Sequence, residues 1–177
     1  MDSNTLFDSW NTDTTPHLTL KGKFMKARVV DVHDGDTMTC VLHLFGSFYK
    51  FSTRLCDLDT CEIRAKNEVN KTLALKARNR LIQLITNSAE LLALDTSKKE
   101  IKKYLNQRTY CVNVLCDDMD KFGRVLAWVF SDSQDQTTLD KNISYNHILI
   151  REKLAYQYGG ATKLTEEEQA LLLANGL

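Results

Sequence analysis

Proline is nearly missing from this 177-residue chain, which has one, and glycine is sparse at seven. That composition excludes a linker or a disordered protein. No apolar run approaches the roughly 20 residues of a membrane span. The N-terminal 16 residues lack both the basic start and the apolar stretch of a secretory signal. Cysteine is present in an odd number, five, so the thiols cannot all pair within the chain. Without a signal they are expected to be reduced, in an intracellular protein of cellular or viral origin. Net charge is also lacking: Lys plus Arg and Asp plus Glu both total 23. Bulk coating of nucleic acid by a basic surface is therefore excluded.

Neutrality here is a cancellation. Arg64 to Arg108 hold 11 basic and four acidic residues, leaving 12 basic and 19 acidic for the rest. Such a basic run is most often a solvated face; a nucleic-acid backbone contact is its sharper reading. At 43% hydrophobic and 26% charged, the length suits one domain that buries a core without disulfides.

Residues 1–23 are polar and aperiodic, which predicts a flexible tail, with Phe7 or Trp10 as its candidate anchors. From Phe24 the pattern is that of strands. Ala27 to Val32 is rich in β-branched residues, and Asp34-Gly35 is a turn dipeptide. Met38 to Leu44 and Phe48 to Leu55 then alternate with period two, so a three-stranded meander is expected. Val69, Leu73, Ala77, Leu81, Leu84 and Ile85 mark one helical face, with Lys71, Lys76, Arg78 and Arg80 off it. Tyr110 to Cys116 and Arg124 to Phe130 read as a hairpin, 143–153 as a helix, and Thr165 with Glu168 as a capping box. Five strands with a helix between the third and fourth is the element order of an OB-fold. The expected architecture is α+β: a five-stranded OB-fold barrel with about three helices over 24–177. Residues 88–108 are ambiguous, an apolar knot at Leu91, Leu92 and Leu94 followed by a basic run that reads as a short helix.

Three segments hold chemistry-bearing residues. In His33-Asp34-Gly35-Asp36-Thr37, two aspartates two positions apart can begin a hard-cation site, because such ions take carboxylate and carbonyl oxygens. In 54–62, Arg54 precedes Asp57, Asp59 and Glu62. Arg54 and Asp59 are an odd number apart, so the chain must turn or bulge between them to serve one site. A guanidinium fork suits phosphate oxygens, and Glu62 can activate a water. In Asp120-Lys121-Phe122-Gly123-Arg124, Gly123 supplies the positive φ of a tight connection. Taken singly, the three read more simply as a hairpin turn, a surface ion-pair cluster and another hairpin.

Taken together, their order and spacing resemble the staphylococcal nuclease (thermonuclease-like) family over about Phe24 to Leu173. The matching residues are D-G-D-T at 34–37, R-L-x-D-x-D-T-x-E at 54–62 and D-K-F-G-R at 120–124, with Ala155-Tyr156-Gln157-Tyr158 as the loosest part. The resemblance implies a calcium-dependent nuclease, with Asp36, Asp59 and the Thr60 carbonyl as ligands and Asp34 in the outer shell. It assigns Arg54 and Arg124 to the scissile phosphate, Glu62 to the general base, and Lys121, Phe122, Tyr156 and Tyr158 to the nucleotide pocket. It further implies DNA or RNA as substrate, a 3′-phosphate product and, most simply, an endonuclease. A monomer with no membrane partner is expected. Cys61 departs from the family where a proline usually follows Asp-Thr, and Phe122 stands where the bacterial enzyme has tyrosine. The loop between Glu62 and the helix is shorter than the family's, and against that pattern residues 88–108 are an insertion before the fourth strand.

Two other readings compete. A catalytically silent OB-fold module would bind nucleic acid or partners; silent members typically lose one of the arginine, aspartate or glutamate positions, and all are present here. Cys56, Cys61, Cys111 and Cys116, with His33 and His43, meet loose zinc spacing. Yet Cys111 and Cys116 fall on opposite faces of a strand, so buried free thiols are expected.

Overall fold

The computed structural model describes residues 5–173. Residues 1–4 of the expected tail and 174–177 of the expected domain lie outside the described residues. In chain order the strands are β1 (Phe24–Val32), β2 (Thr37–Leu44), β3 (Ser47–Leu55), β4 (Leu58–Asp59), β5 (Cys111–Met119), β6 (Val125–Ser131) and β7 (Tyr156–Gln157). The helices are α1 (Glu68–Thr86), α2 (Lys98–Gln107), α3 (Tyr145–Arg151) and α4 (Glu166–Leu173).

Five strands close a barrel in the order β1-β2-β3-β6-β5, and β4 pairs with β7 in a separate two-stranded ribbon. The fold is thus the expected α+β, OB-like barrel, with four α-helices among the described residues instead of about three. The meander pairs antiparallel, and the barrel is shut by a parallel contact in which Thr53, Arg54 and Leu55 face Val125, Leu126 and Ala127. Alternation fills the interior: Ala27, Val29, Met38, Cys40, Leu42, Leu55, Val112 and Val114 are all fully buried. Each large apolar side chain so buried contributes roughly 1.5–3 kcal/mol.

Helix α1 begins at Asn67, whose side chain accepts from the Val69 amide, and ends at Asn87 in the left-handed region, a conformation asparagine tolerates. Its core face is Leu73, Ala77, Leu81 and Ile85 as expected, but Val69 is exposed and Asn70 is buried in its place. Packing decides this first turn: Asn70 donates to the Glu166 carbonyl and to Gln169 of α4. The Thr165–Glu168 capping box forms, and Glu166 accepts from the Lys66 and Asn67 amides at the start of α1.

Arg78 is the clearest departure from the helical wheel. Expected off the buried face, it is buried and donates to the carbonyls of Leu94 and Thr96. Asn79 does the same for Leu92 and Ala93. These side chains satisfy the irregular backbone before α2, which has no ladder partner of its own. Helix α2 is a capped helix, Ser97 and Glu100 forming a reciprocal box, with Ile101 and Leu105 sunk in the barrel core. Phe7 and Trp10 are exposed. The N-terminal segment is held instead by Leu20 in the core and by Gly22 and Lys23 pairing with Cys116.

Candidate functional site

Arg54, at the end of β3, organises the site. Asp57 adopts a left-handed φ of 57°, which turns the chain sharply enough for β4 to bring Asp59 back to Arg54. The guanidinium then lies between two buried carboxylates, Nη1 at 2.8 Å from Asp36 Oδ1 and Nη2 at 2.5 Å from Asp59 Oδ1. The odd sequence separation is thus resolved by a turn. Burial opposes the Arg54 charge, but Asp36 and Asp59 outweigh it and raise its pKa.

The two aspartates differ in environment. Asp36 Oδ1 also accepts from the Thr37 hydroxyl at 2.8 Å, and Asp34 accepts from the Asp36 amide. Burial, then the neighbouring Asp34, push the Asp36 carboxyl up to about 7, against the pull of Arg54. Asp59 is also desolvated, which raises its pKa. Donors from Tyr156 (2.6 Å to Oδ2), Lys163 (2.9 Å to Oδ1) and Arg54 overcome this and hold it below the usual carboxylate range.

Gly35 has no positive φ; it is there for space. A Cβ at this position would meet the Ala77 Cβ at 2.5 Å and the Thr60 Cγ2 at 2.9 Å. The missing side chain lets α1 and the Thr60 turn close onto the loop that carries Asp34 and Asp36.

On the other side, the β5–β6 turn presents Lys121, Phe122 and Arg124. Gly123 takes the positive φ expected of it, 75°. Asp120 accepts from the Phe122 and Arg124 amides and, at 2.7 Å, from Arg124 Nε. Burial opposes the Asp120 charge, but these donors outweigh it and lower its pKa. Lys121 and Arg124 both lie against the Phe122 ring, 5.2 and 5.4 Å from its centre.

Two cavities of about 450 and 480 Å³ share a wall of Arg54, Lys121, Phe122, Arg124 and Tyr158. The second is completed by Asp34, Asp36, Thr60, Glu62 and Lys163. The fold therefore gathers nearly all the residues singled out from sequence onto one trough, although they come from both ends of the chain. Asp59 and Tyr156 stand behind the wall instead of on it. Tyr156 is buried with its hydroxyl on Asp59, while Tyr158 faces the trough and donates to the Ala161 carbonyl.

Lys163, Asp120 and Gly35 carry roles that the sequence pattern did not reveal. Lys163 bridges Asp59 and Glu62, at 2.9 and 3.3 Å, from a loop about a hundred residues downstream, and no local spacing signals that pairing. The Asp120–Arg124 clamp, by contrast, joins residues only four apart, so the signal that could have found it is local. Among the described residues, no three His, Cys, Asp or Glu side chains converge as a metal-ligand group. The cysteines are all free, four of them buried. His147 stacks on Trp128, a packing role.

For a hard cation the donor chemistry fits. Asp34 and Asp36 put oxygen ligands on the cavity wall beside Thr60, and Asp36 is a buried carboxyl whose charge is incompletely compensated. Asp59 is the qualified member, since Arg54, Lys163 and Tyr156 already occupy its oxygens.

No family model and no curated protein matches the chain at a significant level. The staphylococcal nuclease resemblance accordingly rests on the motif residues alone. No helix among the described residues is long and apolar enough to cross a membrane.

Proposed function

We propose that this chain is a thermonuclease-like, calcium-dependent nuclease that hydrolyses phosphodiester bonds of DNA or RNA. The observation that carries the reading is the trough wall on which two arginines, Arg54 at the end of β3 and Arg124 in the β5–β6 turn, meet the carboxylates of Asp34, Asp36 and Glu62.

A phosphodiester is anionic, and attack by water adds charge to its nonbridging oxygens. Preorganised guanidinium groups stabilise that charge best in a partly desolvated site, because they need no reorganisation as it develops. Arg54 is fixed by Asp36 and Asp59 with N–H donors to spare. Arg124 is fixed through Nε by Asp120, leaving its terminal nitrogens to the trough. Glu62, whose side chain is 64% exposed, would take the proton of an attacking water. Lys121, Phe122 and Tyr158 flank the arginines, where a nucleotide's sugar and terminal phosphate would rest. Asp36, Asp59 and the Thr60 carbonyl, with Asp34 outside them, would hold calcium, which when bound supplies positive charge to the phosphate oxygens.

The test is incubation of the pure, folded chain with plasmid, single-stranded DNA and RNA, with calcium or with chelator. Calcium-dependent cleavage is expected. Binding without cleavage under any of these conditions would replace this reading with that of a silent OB-fold module.

A further inference from the structure

Beside the trough, whose wall mixes cations and carboxylates, lies a second, basic surface. A cleft of about 650 Å³ runs between the outer face of the meander and α2, lined by Lys50, Lys102, Lys103, His33, Thr39 and Asn106, with Val30 and Asp31 at its β1 edge. We propose that this cleft is a binding track for single-stranded nucleic acid that leads into the trough at Arg54. The proposal deepens the nuclease reading and rests on it for the direction of the track.

Positive charge converges on the cleft: Lys50, Lys102 and Lys103 line it together, and Asp31 is the single acid on its wall. None of these three lysines takes part in an ion pair among the described residues, whereas Lys21, Lys26 and Lys71 do. In a chain of zero net charge, three uncompensated ammonium groups facing one groove make a local polyanion site. A nucleic-acid backbone is the polyanion whose repeating charges such a groove would follow.

Register ties the cleft to the trough. Phe51, Thr53 and Leu55 of β3 face the barrel interior, so Phe48, Lys50, Ser52 and Arg54 line its outer face. At roughly 6.6 Å for every second residue, Lys50 stands about 13 Å from Arg54 along one strand. On the adjoining strands Thr39 pairs with Ser52 and Thr37 with Arg54. His33, hydrogen-bonded to Thr39 at 2.8 Å, is on the cleft wall, and the next residue, Asp34, is on the trough wall.

The lysines of α2 are held in place. Ile101 and Leu105 anchor that helix in the core, and Asn106 donates to the Val30 carbonyl at the irregularity in β1. Beyond Lys50, the Phe48 ring is 72% exposed and packs on His43 at 4.8 Å. An exposed ring at the end of a basic groove is a platform for an unstacked base, and duplex DNA has none to offer. That selects a single strand.

Fluorescence anisotropy of a labelled 12-nucleotide single strand, titrated with the full chain in chelator over a salt series, reads binding without cleavage. The double variant Lys102→Glu/Lys103→Glu is expected to weaken binding at least tenfold. It should lower the salt slope by about 1.4, two contacts at about 0.7 each. Lys102→Gln/Lys103→Gln, milder for folding, should move both in the same direction, and Phe48→Ala should weaken binding with the slope unchanged. Calcium-dependent cleavage of a dinucleotide substrate, too short to reach the cleft, should be unaffected by all three. Unchanged anisotropy in variants that melt like the parent would overturn the track. Equal losses for a duplex of the same length would overturn its single-strand character. Loss of binding from a chain that cleaves nothing would sustain the track and remove the nuclease reading; intact cleavage with unaltered binding would do the reverse.

Discussion

The ammonium of Lys163 lies 2.9 Å from Asp59 Oδ1 and 3.3 Å from Glu62 Oε1, so a lysine joins a proposed calcium ligand to the proposed general base. Asp59 is buried and Lys163 about half exposed. The contact is thus an ion pair that solvent partly screens, and one that a cation at Asp59 would have to share or displace. Lys163→Ala is expected to tighten calcium binding roughly two- to fivefold, the scale of a partly exposed pair. Calorimetric titration of the variant against the parent checks this, and weaker binding would show that Lys163 organises the site instead of competing for it.

Arg124 owes its position to Asp120. Asp120→Asn keeps the shape of the turn but weakens the grip on Nε. Turnover is expected to fall about ten- to a hundredfold with a small change in melting temperature, and Arg124→Ala should cost orders of magnitude. Steady-state kinetics on a defined oligonucleotide separates the two, since a loss confined to KM would mean that Arg124 binds substrate without assisting the reaction.

The contact of Gly35 with Ala77 makes a stability prediction that is independent of function. Gly35→Ala must push α1 away from the aspartate loop and is expected to cost about 1–3 kcal/mol, the usual range for overpacking. Ala77→Gly opens the same space but costs about 1 kcal/mol in helix propensity. Urea unfolding of both single variants and the double should show the Gly35→Ala penalty shrinking in the Ala77→Gly background.

Asp36 and Asp59 should respond to pH with opposite signs. The Asp36 pKa is raised from 3.8 to about 7. The folded state therefore retains a proton that the unfolded chain has lost, and stability falls as pH rises from about 4 to about 7. Asp59 is depressed below 3.8, so its contribution is present above that pH and is lost as pH falls through the folded value. Asp36→Asn is expected to flatten the decline toward neutrality by an amount on the order of a few kcal/mol, and Asp59→Asn to destabilise most at neutral pH. Urea midpoints from pH 3 to pH 8 decide both; parallel profiles for the two variants would contradict these assignments.

Much of this protein was legible in one dimension because the signals are local. β-Branched composition placed β1, period-two alternation placed β2 and β3, and a hairpin connection placed β5 and β6; a four-residue step placed α1, and turn chemistry placed Gly123 and the Thr165–Glu168 cap. Which chemistry-bearing residues are present, and in what order, was equally plain. Other features depend on residues far apart in sequence. The parallel closure of β3 on β6 carries Arg54 to Arg124. The left-handed Asp57 returns Asp59 to Arg54, and the β4–β7 ribbon sets Tyr156 behind Asp59. Arg78 looked like part of a basic face, yet it is buried because the carbonyls before α2 lacked partners. Lys163 carried no signal at all. Local sequence specifies the elements through propensity and period; only packing, by desolvating some charges and pairing others, decides which of them form the site and which hold it in shape.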